Sequence, residues 1–284
     1  MRGLVRLRRL QYRGRTSFPM LSGDAFASVA DVVVDKPLSQ MSSACLRSVR
    51  DAGVIFCKSE FLRDMLAEGS RLSARTILAG NSDVEFHDHP ERLPPRLRLL
   101  LLQNSYVSDN CRIYTLPIGL ENLALGQNGL PKLFRHTSVA DQSAKVLIGP
   151  FGATHSARAE LCEQFRSTPG PWEVREERMS PGKLAKVMSD CSHVLCPRGN
   201  GVDTHRHWEA LYRGAVPVVE ESSWSLSLRV YGFPQMICAS LTPQSLLVAL
   251  AGRDLSRPRV RPTLLPWLWI PTWTKWVAGG GRPP

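Results

Sequence analysis

The chain has 284 residues, 43% hydrophobic and 21% charged, a balance that excludes wholesale disorder and suits one large domain or two ordinary ones. Lysine and arginine outnumber aspartate and glutamate by 36 to 25, a net charge of +11 that suits phosphorylated small molecules, an anionic membrane face or nucleic acid. Neither an aromatic RNA-binding motif nor a zinc-finger spacing is present, so nucleic acid is not expected as a partner.

In chain order, residues 1–18 read as an arginine-rich arm, with six arginines in the first 15 positions. The arm lacks the apolar core of a signal peptide, and no run of about 18 apolar residues follows, so a cytoplasmic protein is expected. Seven scattered cysteines, several in apolar runs, suit a reducing compartment better than a disulfide scaffold. From Asp31 the text alternates. Val32–Val34, Val54–Cys57, Thr76–Gly80 and Leu99–Leu102 are strand-like, as is the run from Arg112. Ser42–Asp51 and a stretch capped by Ser59 are helix-like. These strands end in small polar residues, as an open α/β sheet does where it lines a cleft. His87-Asp88-His89 invites a metal reading, as do Cys191, His193, Cys196, His205 and His207, but neither has the converging spacing of a structural zinc site. No metal is expected.

Gly126, Gly129 and Pro131, followed by polar text through Ser143, suggest an interdomain linker. Four units are expected: the arm (1–18), an N-terminal α/β domain (19–137), a C-terminal Rossmann-like domain (138–255) and a Pro/Trp-rich tail (256–284). In the second half, strands are expected at Lys145–Gly149, Trp172–Val174, Val194–Cys196, Val216–Val219 and Gln235–Cys238. Helices start at Ser156, at Ser180-Pro181 and at Thr242-Pro243. The alternation implies a parallel sheet with right-handed crossovers. The tail holds four of the seven tryptophans, which suits either a membrane interface or packing against the domains. Its prolines argue against a clean amphipathic helix.

The most informative stretch is Val194–Glu220. A strand ends near Cys196, and a turn-rich loop from Pro197 to Asp203 holds Arg198, Gly199, Asn200 and Gly201. Asp203 or Thr204 can then cap a helix that stops at Gly214. Backbone N–H groups and a helix N-terminus face such a loop, which favours an anion. Arg206 and Glu209 share a helix face. Arg206 could reach phosphate while Glu209 accepts hydrogen bonds from ribose or sugar hydroxyls, or the two could be an ordinary solvated pair. Gly152 and Thr154, in the loop after the first strand of this half, would face the same ligand in a doubly wound sheet.

The run Pro197-Arg-Gly-Asn-Gly-Val-Asp-Thr-His-Arg206, with Trp208-Glu-Ala-Leu-Tyr and Gly214-Ala-Val-Pro-Val, resembles the donor-binding segment of exostosin-like glycosyltransferases. That resemblance covers about 27 residues well. It implies a GT-B-like fold of two Rossmann-like, doubly wound domains facing a cleft, with 19–137 as the acceptor-side domain and 138–255 as the nucleotide-sugar-binding one. The implied activity is a metal-independent glycosyltransferase with no cofactor, passing sugar from a nucleotide-sugar to a hydroxyl acceptor. Arg198, Gly199, Asn200, Gly201, Asp203, Thr204, Arg206, Glu209, Gly152 and Thr154 would hold the donor. An inverting reaction needs a base, for which Asp83 and Glu85, just past a strand end, are the candidates. The alternative is a donor-binding protein on the same fold without turnover. The basic arm and Trp-rich tail leave room for peripheral membrane contact.

Overall fold

The computed structural model describes residues 18–109, 111–126, 128–134, 143–255 and 260–279. The arm up to residue 17, part of the expected linker and the last five residues lie outside them. The chain divides into two compact units, Met1–Gly126 with Trp269–Pro284, and Gln127–Leu268. The division falls after Gly126 rather than at 137/138. Residues 269–284 join the first unit instead of forming a separate tail.

The first unit holds five parallel strands side by side in chain order: β1 (Val32–Val34), β2 (Val54–Lys58), β3 (Thr76–Gly80), β4 (Leu99–Leu102) and β5 (Ile113–Thr115). Strands buried on both faces read as unbroken apolar runs, which is why Leu99–Leu102 is four leucines with no exposed surface. The order never reverses, so this sheet is not doubly wound as expected. Right-handed crossovers that step one way put their helices on one face. There α2 (Ser43–Asp51) and α3 (Leu62–Ala67), which follow a short α1 (Gly23–Ala27), bury Val49, Leu62 and Met65 with Ile55, Ile77 and Leu100. Ser42 caps α2 through its hydroxyl. Ser59 instead opens a 3-10 turn without capping anything.

The other sheet face is covered from the chain's far end. The C-terminal helix Ile270–Gly279 buries Ile270, Trp273, Trp276 and Val277. Trp273 meets Phe26 of α1 edge-on with centroids 5.2 Å apart, Trp276 meets Tyr114 of β5 at 5.2 Å, and Thr76 Oγ1 donates to the Val277 carbonyl at 3.0 Å. The tail is therefore helical where its prolines argued otherwise. Pro271 sits in the first turn, where the missing N–H has no intrahelical partner to lose. Trp273 and Trp276 are buried in this core. Among the described residues no helix is long and apolar enough to cross a membrane.

The second unit holds β6 (Ser143–Ile148), β7 (Trp172–Val174), β8 (Cys191–Leu195), β9 (Val216–Glu220) and β10 (Met236–Cys238), all parallel, in the order β10-β9-β8-β6-β7. The connecting helices are α4 (Ala157–Ser167), α5 (Pro181–Asp190), α6 (His205–Tyr212), α7 (Ser223–Ser227) and α8 (Pro243–Leu250). Ser180 and Thr242 cap α5 and α8, each with proline in the first turn. The chain winds from β6 out to β7, then returns past β6 to β8, β9 and β10. That reversal makes a Rossmann-like, doubly wound sheet whose switch point lies between β6 and β8.

Candidate functional site

In an open parallel sheet, ligands bind outside the strand carboxyl ends at the switch point. Here those ends carry the loop from Gly149 after β6 and the loop from Cys196 after β8. The two loops are fastened by arginines. Arg158 donates from Nε to the Arg198 carbonyl at 2.8 Å and from Nη2 to the Pro197 carbonyl at 3.1 Å. Its Nη1 reaches Thr154 Oγ1 at 2.7 Å and the Gly152 carbonyl at 3.3 Å. Arg206 donates to the carbonyls of Pro150 at 3.0 Å and Gly149 at 3.4 Å, and its Nε meets Glu209 Oε2 at 3.1 Å. Gly149 adopts φ +77°, and a Cβ there would collide with the Arg175 carbonyl, so only glycine lets β6 turn into this loop.

Both arginines stand in the first turn of a helix, Arg158 on α4 and Arg206 on α6. A cation is disfavoured at the positive end of a helix dipole, so each must be held there by tertiary partners. Burial and the nearby Arg206 push the Arg158 pKa down. Two guanidiniums, two helix N-termini and the single carboxylate of Glu209 leave this edge net positive. Arg158 was missed by sequence reading, although its misplacement against the dipole was a legible signal.

The other anticipated residues take these places. Arg198 is partly buried, and its Nη2 donates to the Asn200 carbonyl at 3.4 Å. Gly199 and Gly201 are buried, and the Gly199 N–H donates to the Gly201 carbonyl at 3.0 Å. A Cβ on Gly199 would come within 2.9 Å of Arg158 Nη2, so the glycine makes room for the fastening arginine. Asn200, Gly152 and Thr154 are exposed. Thr204 takes the N-cap position of α6 without a side-chain cap bond. Asp203, 3% exposed, accepts from Trp208 Nε1 at 2.8 Å and so anchors the helix it precedes. Arg206 and Glu209 are not a solvated pair, since their side chains are only 15% and 9% exposed.

Asp83 and Glu85 lie in the first unit, in the loop after β3. Asp83 is exposed, and Glu85 Oε2 sits 3.5 Å from His87 Nε2, whose ring stacks on Tyr106. Among the described residues no group of three or more His, Cys, Asp or Glu side chains is arranged to hold a metal ion. Burial pushes the Cys191 thiol up to about 11. His207 is fully buried beside Trp208 and Trp224, with neither ring nitrogen hydrogen-bonded, and burial lowers its pKa to about 3.

His207 has a measurable consequence. Its folded pKa lies below the unfolded value near 6.5, so the unfolded chain takes up the proton first. Its contribution is complete above about pH 6.5 and is lost as pH falls toward about 3. Between pH 7.5 and 5.5 the loss is about 1.4 kcal/mol. His193, lowered to about 4 by burial and by Arg253, acts in the same direction. Urea unfolding at the two pH values should show the slope, and His207→Phe should reduce it.

No family model matches the chain, and no curated protein matches it.

Proposed function

We propose that the second unit binds the diphosphate of a nucleotide-sugar at the loops after β6 and β8, and that the protein is a glycosyltransferase passing that sugar to a hydroxyl acceptor. The observation that carries this reading is the pair of half-buried guanidiniums, Arg158 and Arg206, which fasten two switch-point loops, with the carboxylate of Glu209 held by Arg206 alone. Their hydrogen bonds are spent on loop carbonyls, so they hold the loops in shape while their charge raises the potential in front. The ligand is met by loop N–H groups, the N-termini of α4 and α6, and Arg198. As the sugar–phosphate bond breaks, the same field stabilises the negative charge gathering on the departing diphosphate, and no metal is required. The resemblance of the stretch around 197–218 to exostosin-like donor segments supports the same chemistry.

Glu209 is occupied by Arg206 and braces the loop from behind rather than reading ribose hydroxyls. Thr154 and Asn200, exposed on the two loops, are the side chains nearest a bound donor's polar groups.

A thermal-shift panel of nucleotides and nucleotide-sugars tests the reading. Ligand at 100 times its Kd should stabilise the protein by about 2.7 kcal/mol. One nucleotide family should shift the transition, and Arg198→Ala should abolish most of the shift while leaving the ligand-free transition in place. Release of nucleoside diphosphate from the matching nucleotide-sugar, with the sugar recovered on an added hydroxyl acceptor, then establishes transfer chemistry. Binding without release identifies a donor-binding protein instead, and no shift with any member removes the donor site altogether.

A further inference from the structure

We infer that the protein self-associates through the outward face of α8 and the edge strand β10 that precedes it, with a second copy of this chain as the partner. Helix α8 is apolar on both sides. Pro243, Leu246 and Leu250 are buried, while Gln244, Leu247, Val248 and the following Ala251 form a second stripe that is exposed. Leu247 is 40% and Val248 78% exposed, and α8 has no charged residue. A stripe at i, i+3, i+4 and i+7 is the face by which a helix packs on another element, and a helix apolar all round is normally buried. The other surface helices keep to that rule: α4 exposes Glu160, Glu163 and Arg166, and α5 exposes Lys183, Lys186 and Asp190.

The strand before α8 points the same way. β10 is the last strand of its sheet, and the Glu221 N–H donates to the Cys238 carbonyl at 2.7 Å. Cys238 therefore faces β9, and the alternation of a strand turns the Ile237 N–H and carbonyl outward, where a further strand would bond. Edge strands are ordinarily guarded by charge. β7, at the opposite edge, has Glu173 paired with Lys145 and Arg175. β10 has no such guard, since residues 230–252, which take in the strand and all of α8, are the chain's longest run without a charged residue. Leu226 and Val230, on the segment that enters β10, are exposed as well.

The charge pattern selects the partner. The chain carries +11, so two copies repel each other unless they meet on an uncharged surface. In a two-fold contact the residues near the axis meet their own copies, and a charge there would face itself. An uncharged helix and edge strand satisfy that condition, and a strand edge complements itself when paired antiparallel across the axis. A membrane is the poorer match, since a helix lying on anionic lipid carries lysine or arginine along its polar side and α8 has neither. The N-terminal arm would bring six arginines against the stripe. No residue of the donor site is involved, and the inference does not rest on the transferase reading.

Sedimentation velocity of the full chain from about 1 to 100 μM, the range in which an interface of modest quality assembles, is the test. The mass should rise from 31.6 kDa toward twice that value. Val248→Glu sets two carboxylates against each other across the axis and should raise the dimer Kd at least about tenfold, as should Val248→Lys. An equimolar mixture of these two variants should re-associate, because opposite charges then meet. Leu125→Glu, at an exposed leucine of the first unit, should dimerise as the wild type does. Thermal melting checks that each variant keeps its fold. The proposal is overturned if the wild type stays at 31.6 kDa throughout, if Val248→Glu dimerises as well as wild type, or if the mixture associates no better than either variant alone. It is also overturned if the wild type is monomeric but floats with phosphatidylserine vesicles and Val248→Glu does not, which would give the face to a membrane.

Discussion

Arg206→Ala should destabilise the protein by about 3–5 kcal/mol, the cost of stranding a buried charge. Glu209 is its partner at 3.1 Å, and the Glu209 side chain is only 9% exposed, so the carboxylate left behind could not regain its hydration. The carbonyls of Gly149 and Pro150 would lose their donor at the same time. Removing both members tests the cause. The Arg206→Ala/Glu209→Ala double variant should be less damaged than Arg206→Ala alone, because no unpaired charge remains. Urea unfolding midpoints measure all three. A loss below about 1 kcal/mol for Arg206→Ala would class the pair with exposed ion pairs and remove its bracing role.

Trp273→Ala should cost a comparable amount, about 3–5 kcal/mol, through the cavity left by a fully buried indole. The loss belongs to the first unit, since Trp273 packs edge-on against Phe26 and beside Trp276, which itself meets Tyr114. The sheet face beneath has no crossover helix of its own, so weakening the C-terminal helix exposes it. Hydrogen exchange should quicken in β3 and β4 and in α1, with β8 and β9 of the second unit little changed. Trp273→Phe, which keeps an aromatic plug, should retain much of the stability. If exchange instead rises equally in both units, the helix does not act on the first unit alone.

The individual elements of this protein were legible in its sequence because their causes are local. Apolar runs such as Leu99–Leu102 and Val216–Val219 declared buried strands, and Ser42, Ser180-Pro181 and Thr242-Pro243 declared helix starts through chemistry contained within a single turn. The loop from Pro197 to Thr204 was likewise recognisable as a strand–loop–helix junction. The strand order of the first sheet, the destination of the tryptophan helix and the burial of Glu209 were not legible. Each depends on which apolar faces meet across long stretches of chain, and periodicity reports that a face is apolar without naming its partner. Arg158 shows the same divide. Its position in the first turn of α4 can be read from the sequence, but only the tertiary fold brings the carbonyls of Pro197 and Arg198, some 40 residues on, within reach of its guanidinium.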